Sequence, residues 1–280
     1  MRLPRPLVAA AGATLLAGAL ATQAPSAQAA PSWAPADSAT IHPGVQMYTE
    51  GAQCTANFVF TDGSSTFIGQ SAHCSGTGEA TDTNGCDAGT LPLGTQVKLE
   101  DADNPGTFPV TGTLAYSSWN AMQAAGETDP DACAYNDFAL IKVPAGTEVD
   151  PTVPFWGGPN GVATTAPATG AKVFSYGNSS LRQGIELLKP KRGVSLGASG
   201  NGWTHSLYTL TPGIPGDSGS AFLDADGKAF GVLSTLALAP LPASNGVSDL
   251  SRMLAYARAH GVPNLRLVEG TTPFDGQRIL

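Results

Sequence analysis

A serine between glycines on a tight turn can present its hydroxyl beside two backbone N–H groups, and Gly216-Asp217-Ser218-Gly219-Ser220 is such a stretch. A nearby base would make Ser218 a nucleophile; without one, these residue types make an ordinary turn. Two other segments offer the missing groups. In Ser71-Ala72-His73-Cys74 a histidine follows the apolar pair Phe67-Ile68 and precedes a cysteine able to tether it. In Asn136-Asp137-Phe138-Ala139-Leu140-Ile141 an aspartate opens a hydrophobic strand. Taken singly, His73 reads as a core histidine and Asp137 as a cap or turn residue. Taken together, base, acid and nucleophile follow one another in the order His, Asp, Ser. The chemistry open to such a trio is acyl transfer, in which the imidazole takes the hydroxyl proton and the carboxylate holds the imidazole.

On these three segments the chain resembles the chymotrypsin-like (trypsin-fold) serine peptidases, and specifically a secreted bacterial member. In that family the histidine follows a small residue and precedes a disulfide cysteine, the aspartate starts an Asp-x-Ala-Leu strand, and the serine lies in Gly-Asp-Ser-Gly. His73, Asp137 and Ser218 match those contexts. The resemblance runs from about Gln53 to His260, leaving the N-terminal leader and the last twenty or so residues outside. It implies an all-β fold of two packed six-stranded antiparallel β-barrels with a C-terminal helix. It further implies a serine endopeptidase acting on protein or peptide substrates through an acyl-enzyme, as a monomer, with no cofactor and no metal. Backbone N–H groups of Gly216 and Ser218 would form the oxyanion hole, and Ser234 would support the aspartate. The substrate pocket would be built from Thr211 to Pro215, from Ser234, Thr235 and Leu236, and from the segment near Gly246. Thr211 to Pro215 contains no acid, so cleavage after Lys or Arg is not expected, and Leu236 would narrow the pocket toward small or medium apolar residues.

Two alternatives belong to other classes. A catalytically silent secreted binding protein on the same fold need not keep His73, Asp137, Ser218 and Gly216 together. An esterase or lipase of another fold would place serine before acid and histidine and end its elbow in glycine, where this chain has Ser220. One departure from the family concerns Asp217, whose counterpart pairs with a buried cation, either a newly released N-terminus or an arginine. No Ile-Val-Gly-Gly start is present, and Ile41-His42-Pro43-Gly44 stands too close to Cys54 to serve.

Arg2 and Arg5, the apolar stretch Leu7–Ala21 and the small-residue site Ala27-Gln28-Ala29 read as a secretory signal over residues 1–29. The apolar run is shorter than the roughly 20 residues that span a bilayer. An exported, extracellular protein is therefore expected, with no membrane association after signal removal. A flexible segment over 30–40, a peptidase domain over 41–260 with a linker near 151–167, and an extension over 261–280 complete the organisation. Loss of Arg2 and Arg5 would take the formal charge from −8 to −10, which gives no attraction to nucleic acid. Only 13% of residues are charged and 34 are glycine, as in a turn-rich β protein.

Cys54, Cys74, Cys86 and Cys133 allow three pairings. The family resemblance implies Cys54–Cys74, leaving Cys86 for Cys133, with loop-closure stabilisation of about 3 and 4 kcal/mol. No Cys-x-x-Cys and no histidine pair suggests zinc, and the acidic clusters Asp101–Asn104 and Glu127–Asp131 read as solvated loops rather than calcium sites. Phe58-Val59-Phe60 and Thr66-Phe67-Ile68 flank Asp62-Gly63, a hairpin signal that ends at His73. Strands are also expected at 95–99, 172–176, 185–188, 207–210, 221–223 and 229–233. Leu250, Met253, Leu254 and Ala257 share one face of the single convincing helix, over 250–260.

Overall fold

The structure, a computed structural model, describes Met1 and residues 32–78, 84–237 and 242–280. Residues 2–29 of the expected secretory signal lie outside the described residues. β1 (Gln46–Thr49), β2 (Ala52–Thr55), β3 (Val59–Thr61), β4 (Thr66–Gln70), β5 (Gln96–Leu99), β6 (Val110–Ser117) and β7 (Ala139–Lys142) build an N-terminal sheet. β8 (Lys172–Tyr176), β9 (Pro190–Ser199), β10 (Thr204–Leu210), β11 (Ala221–Leu223), β12 (Ala229–Ala237) and β13 (Ser244–Asp249) close into a barrel in the order β10-β13-β12-β11-β8-β9. A final strand, β14 (Arg266–Leu267), returns to the first sheet, whose order is β14-β3-β4-β7-β6-β5-β1-β2.

The mostly-β class, the closed six-stranded barrel and the C-terminal helix agree with expectation. The first unit differs in detail: the seven strands β1–β7 form a sheet, and β14 joins it as an eighth at the edge beside β3. At the expected hairpin, Asp62 Oδ1 accepts the N–H groups of Ser64 and Ser65 at 2.8 and 2.7 Å. That side-chain turn sets the register in which Phe60 faces Phe67.

Residues 185–188 depart from the strand expected there. Glu186–Leu188 is a 3-10 turn with Ile185 and Leu187 exposed, and the true strand is the next segment, β9. Its sequence, Pro-Lys-Arg-Gly-Val-Ser-Leu-Gly-Ala-Ser, shows no apolar alternation; it is held by antiparallel pairing with its two neighbours, β8 and β10. Two short helices, α1 (Ser118–Ala125) and α2 (Pro130–Tyr135), stand where no helix is expected. Asp129 caps α2 by accepting the N–H groups of Asp131 and Ala132, so part of the Glu127–Asp131 acidic cluster is helix-starting chemistry.

α3 (Leu250–Ala259) buries Leu250, Met253, Leu254 and Ala257, the four residues whose spacing marked it. They join Phe58, Phe138, Trp156 and Phe174 in a core that spans sheet and barrel. Full burial of such large side chains contributes about 1.5–3 kcal/mol each. Residues 261–280 also join this core. Phe274 stacks edge-on against Phe174 at 5.2 Å, Asp275 N–H donates to Trp156 O at 2.7 Å, and Arg192 Nη2 donates to Gly276 O at 2.9 Å. With β14 on β3 and Phe274 on the barrel, the tail straps the two units together.

Candidate active site

His73 sits in a 3-10 turn, Ala72–Ser75, that follows β4 directly. Asp137 follows α2 and precedes β7. Because β4 and β7 are neighbours with Gln70 opposite Ala139, both residues emerge at the same end of adjacent strands. Asp137 Oδ2 lies 2.7 Å from His73 Nδ1, and Oδ1 accepts the His73 backbone N–H at 2.9 Å. Ser234 Oγ donates to Oδ2 at 2.5 Å. Burial opposes charge on both groups. The Asp137 carboxylate nevertheless holds the His73 imidazole above its ordinary pKa, and the nearby imidazole with these hydrogen bonds holds Asp137 below the usual carboxylate range. The Cys54–Cys74 disulfide anchors the histidine turn to β2, and Cys86–Cys133 ties the following loop to α2.

Ser218 lies on the turn between β10 and β11, fastened to both units. Its carbonyl accepts the Thr55 N–H at 2.8 Å, and the Gly219 N–H donates to Leu233 O at 2.7 Å. Gly216 has φ +92°, and a Cβ there would meet Gln53 Oε1 at 2.2 Å, so only glycine fits the turn. Gln53 Nε2 and Thr55 Oγ1 both donate to Gly216 O, at 3.0 and 2.8 Å. The N–H groups of Gly216 and Ser218 donate to none of the described residues. His73, Asp137, Ser218, Ser234 and Gly216 line one open cleft of ≈ 620 Å³ formed between sheet and barrel.

Asp217 points the other way. Wholly buried, it is 2.8 Å from Arg182 Nη2 and 3.0 Å from Lys191 Nζ, and it accepts the N–H groups of Ser179 and Ile214. The cation missing from the sequence motif is thus a pair, Arg182 from a surface turn and Lys191 from β9. Burial depresses the Lys191 pKa and the neighbouring Arg182 adds to this, against the attraction of Asp217. No local signal marks either cation, since both lie more than twenty-five residues from Asp217 in sequence.

Thr235 and Leu236 line the cleft with Ser234, whereas Thr211 and Gly246 do not; Gly213 and Asn245 take those places. Side chains alternate along β13, so Asn245, opposite Leu236, faces the cleft and Gly246 faces Thr235 Oγ1. Among the described residues the one cluster of metal-ligating types is Cys54, His73 and Cys74, and its two sulfurs are bonded to each other. His205, buried in the barrel, pairs with Asp249 at 2.9 Å rather than joining the cleft.

No family model matches the sequence, and no curated protein matches it significantly. Solved structures do. Thermobifida fusca protease A is 18% identical, with a TM-score of 0.51 over 83% of this chain and 100% of its own. The fold is that of the bacterial chymotrypsin-like serine proteases. Rv3671c protease from M. tuberculosis (16% identity, 86% and 87% covered, TM-score 0.49) and Cellulomonas bogoriensis chymotrypsin (17%, 81% and 99%, 0.48) are more distant likenesses. At such identities the similarity speaks for fold alone, and within this fold the cleft described above lies between the two β units. No helix among the described residues is long and apolar enough to cross a membrane.

Proposed function

We propose that the protein is a secreted serine endopeptidase, with residues 41–260 as its peptidase domain and Ser218, His73 and Asp137 as nucleophile, general base and orienting acid. One observation carries the reading: Asp137 holds His73 through both carboxylate oxygens in the cleft that Ser218 lines. With Nδ1 directed at Asp137, the His73 tautomer leaves Nε2 to accept the Ser218 proton as Oγ attacks the substrate carbonyl. The same nitrogen then returns the proton to the leaving amine, and water repeats the sequence on the acyl-enzyme. The N–H groups of Gly216 and Ser218, without partners among the described residues, would receive the developing oxyanion; each such donor is worth about 3–4 kcal/mol. Asp217 holds the turn that aims them. Two disulfides and the leader composition support export, with peptide substrates reached outside the cell.

A fluorophosphonate serine probe tests the assignment by intact mass and peptide mapping. Modification of the wild type at Ser218, lost in Ser218→Ala and strongly slowed in His73→Ala, is expected. Undiminished modification of Ser218→Ala would falsify the assignment of the nucleophile, and an unreactive folded wild type would favour the silent binding protein.

A further inference from the structure

We propose that this cleft takes a small, uncharged side chain at the residue preceding the scissile bond, because Asn245 and Leu233 close its floor. The inference rests on the peptidase reading of the site and names the substrate class that reading leaves open. Beside Ser218 the cleft continues between two stretches of backbone, residues 213–215 and 234–236. Asn245 is 1% exposed and bridges them: Oδ1 accepts the Gly213 N–H at 2.8 Å, while Nδ2 donates to Gly213 O at 3.2 Å and Thr235 O at 3.4 Å. Leu233 packs against the same spot. A Cβ on Gly213 would lie 2.7 Å from Leu233 Cδ2 and 2.9 Å from Asn245 Nδ2, so backbone and both side chains are already in contact there. Leu236, half exposed, stands at the rim.

The chemistry of the lining points the same way. Both Nδ2 hydrogens of Asn245 are engaged, so its amide has no donor left for a substrate carboxylate. Among the described lining residues the only titratable groups are His73 and Asp137, which face each other beside Ser218 rather than the floor. A lysine, arginine or glutamate side chain would enter without a counter-charge, and an aromatic ring would have to displace the Asn245 bridge.

The test is a series of tetrapeptide anilides differing only in that residue, Ala, Val, Leu, Phe, Lys and Glu, turned over by the full-length secreted protein. Ala and Val should give the highest kcat/KM, with Phe about tenfold lower or worse and Lys and Glu lowest. Asn245→Gly removes the bridge and Asn245→Ser shortens it; in either folded variant the Phe-to-Ala ratio should rise at least about tenfold. A wild type preferring Phe, Lys or Glu overturns the proposal, as does an unchanged ratio in both variants. Fluorophosphonate reactivity separates the two levels. A wild type that modifies at Ser218 yet prefers Phe refutes only the floor, whereas one that neither modifies nor cleaves any anilide refutes the peptidase reading and this inference with it.

Discussion

Replacing Asp217 by asparagine keeps the shape of the side chain and removes the charge that Arg182 and Lys191 share. At 2.8 and 3.0 Å, each contact represents roughly 5–6 kcal/mol of gross attraction at an effective dielectric of 20, largely offset by desolvation. The substitution removes the attraction but leaves both cations buried, so Asp217→Asn should cost about 3–5 kcal/mol. For a domain of this size that corresponds to a Tm lower by roughly 6–20 °C. Lys191→Met should behave oppositely, since it leaves a neutral Arg182–Asp217 pair and an apolar chain of similar length; its stability should fall within about 1 kcal/mol of wild type or above it. In the double variant at least about 1 kcal/mol of the Asp217→Asn loss should return. The Lys191 pKa is depressed from 10.5, so the folded state binds its proton less tightly than the unfolded chain. Its contribution to stability therefore rises with pH from the depressed value up to 10.5, and that slope should be absent from Lys191→Met. Urea unfolding followed by tryptophan fluorescence, disulfides intact, measures all three variants. An Asp217→Asn cost below about 1 kcal/mol, or a double variant no more stable than Asp217→Asn, refutes the argument that this charge balance holds the nucleophile turn.

Activity requires neutral His73, so kcat/KM should rise with pH on a limb above the ordinary 6.5, and Asp137→Asn should move that limb downward while lowering the rate at least about 10²-fold. A limb unmoved in Asp137→Asn would contradict the pairing. The same pair stabilises the fold mainly between the ordinary values of 3.8 and 6.5, its contribution fading as pH rises through the raised His73 pKa or falls through the depressed Asp137 pKa; His73→Gln should therefore lose more stability at pH 5.5 than at pH 9 by calorimetry. Deleting residues 271–280 removes Phe274 from Phe174 and the hydrogen bonds to Trp156 and Arg192, and should cost about 2–4 kcal/mol. A Tm unchanged by the deletion would mean the tail is not a strap.

What the sequence determined by itself is local. Asp62-Gly63 marked its hairpin and Leu250, Met253, Leu254 and Ala257 marked α3, because turn chemistry and helical period act over a few residues. His73, Asp137 and Ser218 were legible as candidates for the same reason, each lying in a short context that limits what its side chain can do. Tertiary structure decided what those contexts face. Ile185–Leu188 reads as a strand in sequence, yet it forms a 3-10 turn with Ile185 and Leu187 exposed, while β9 has little apolar pattern and is held by two neighbours. Arg182 and Lys191 acquire meaning only where the barrel buries them against Asp217, and Asn245 rather than Gly246 faces the cleft because strand alternation and register choose it. The tail, silent in sequence, becomes structural by packing Phe274 on residues a hundred positions earlier. Burial, charge pairing and strand register are properties of pairs brought together by the fold, and no short window of sequence contains both members.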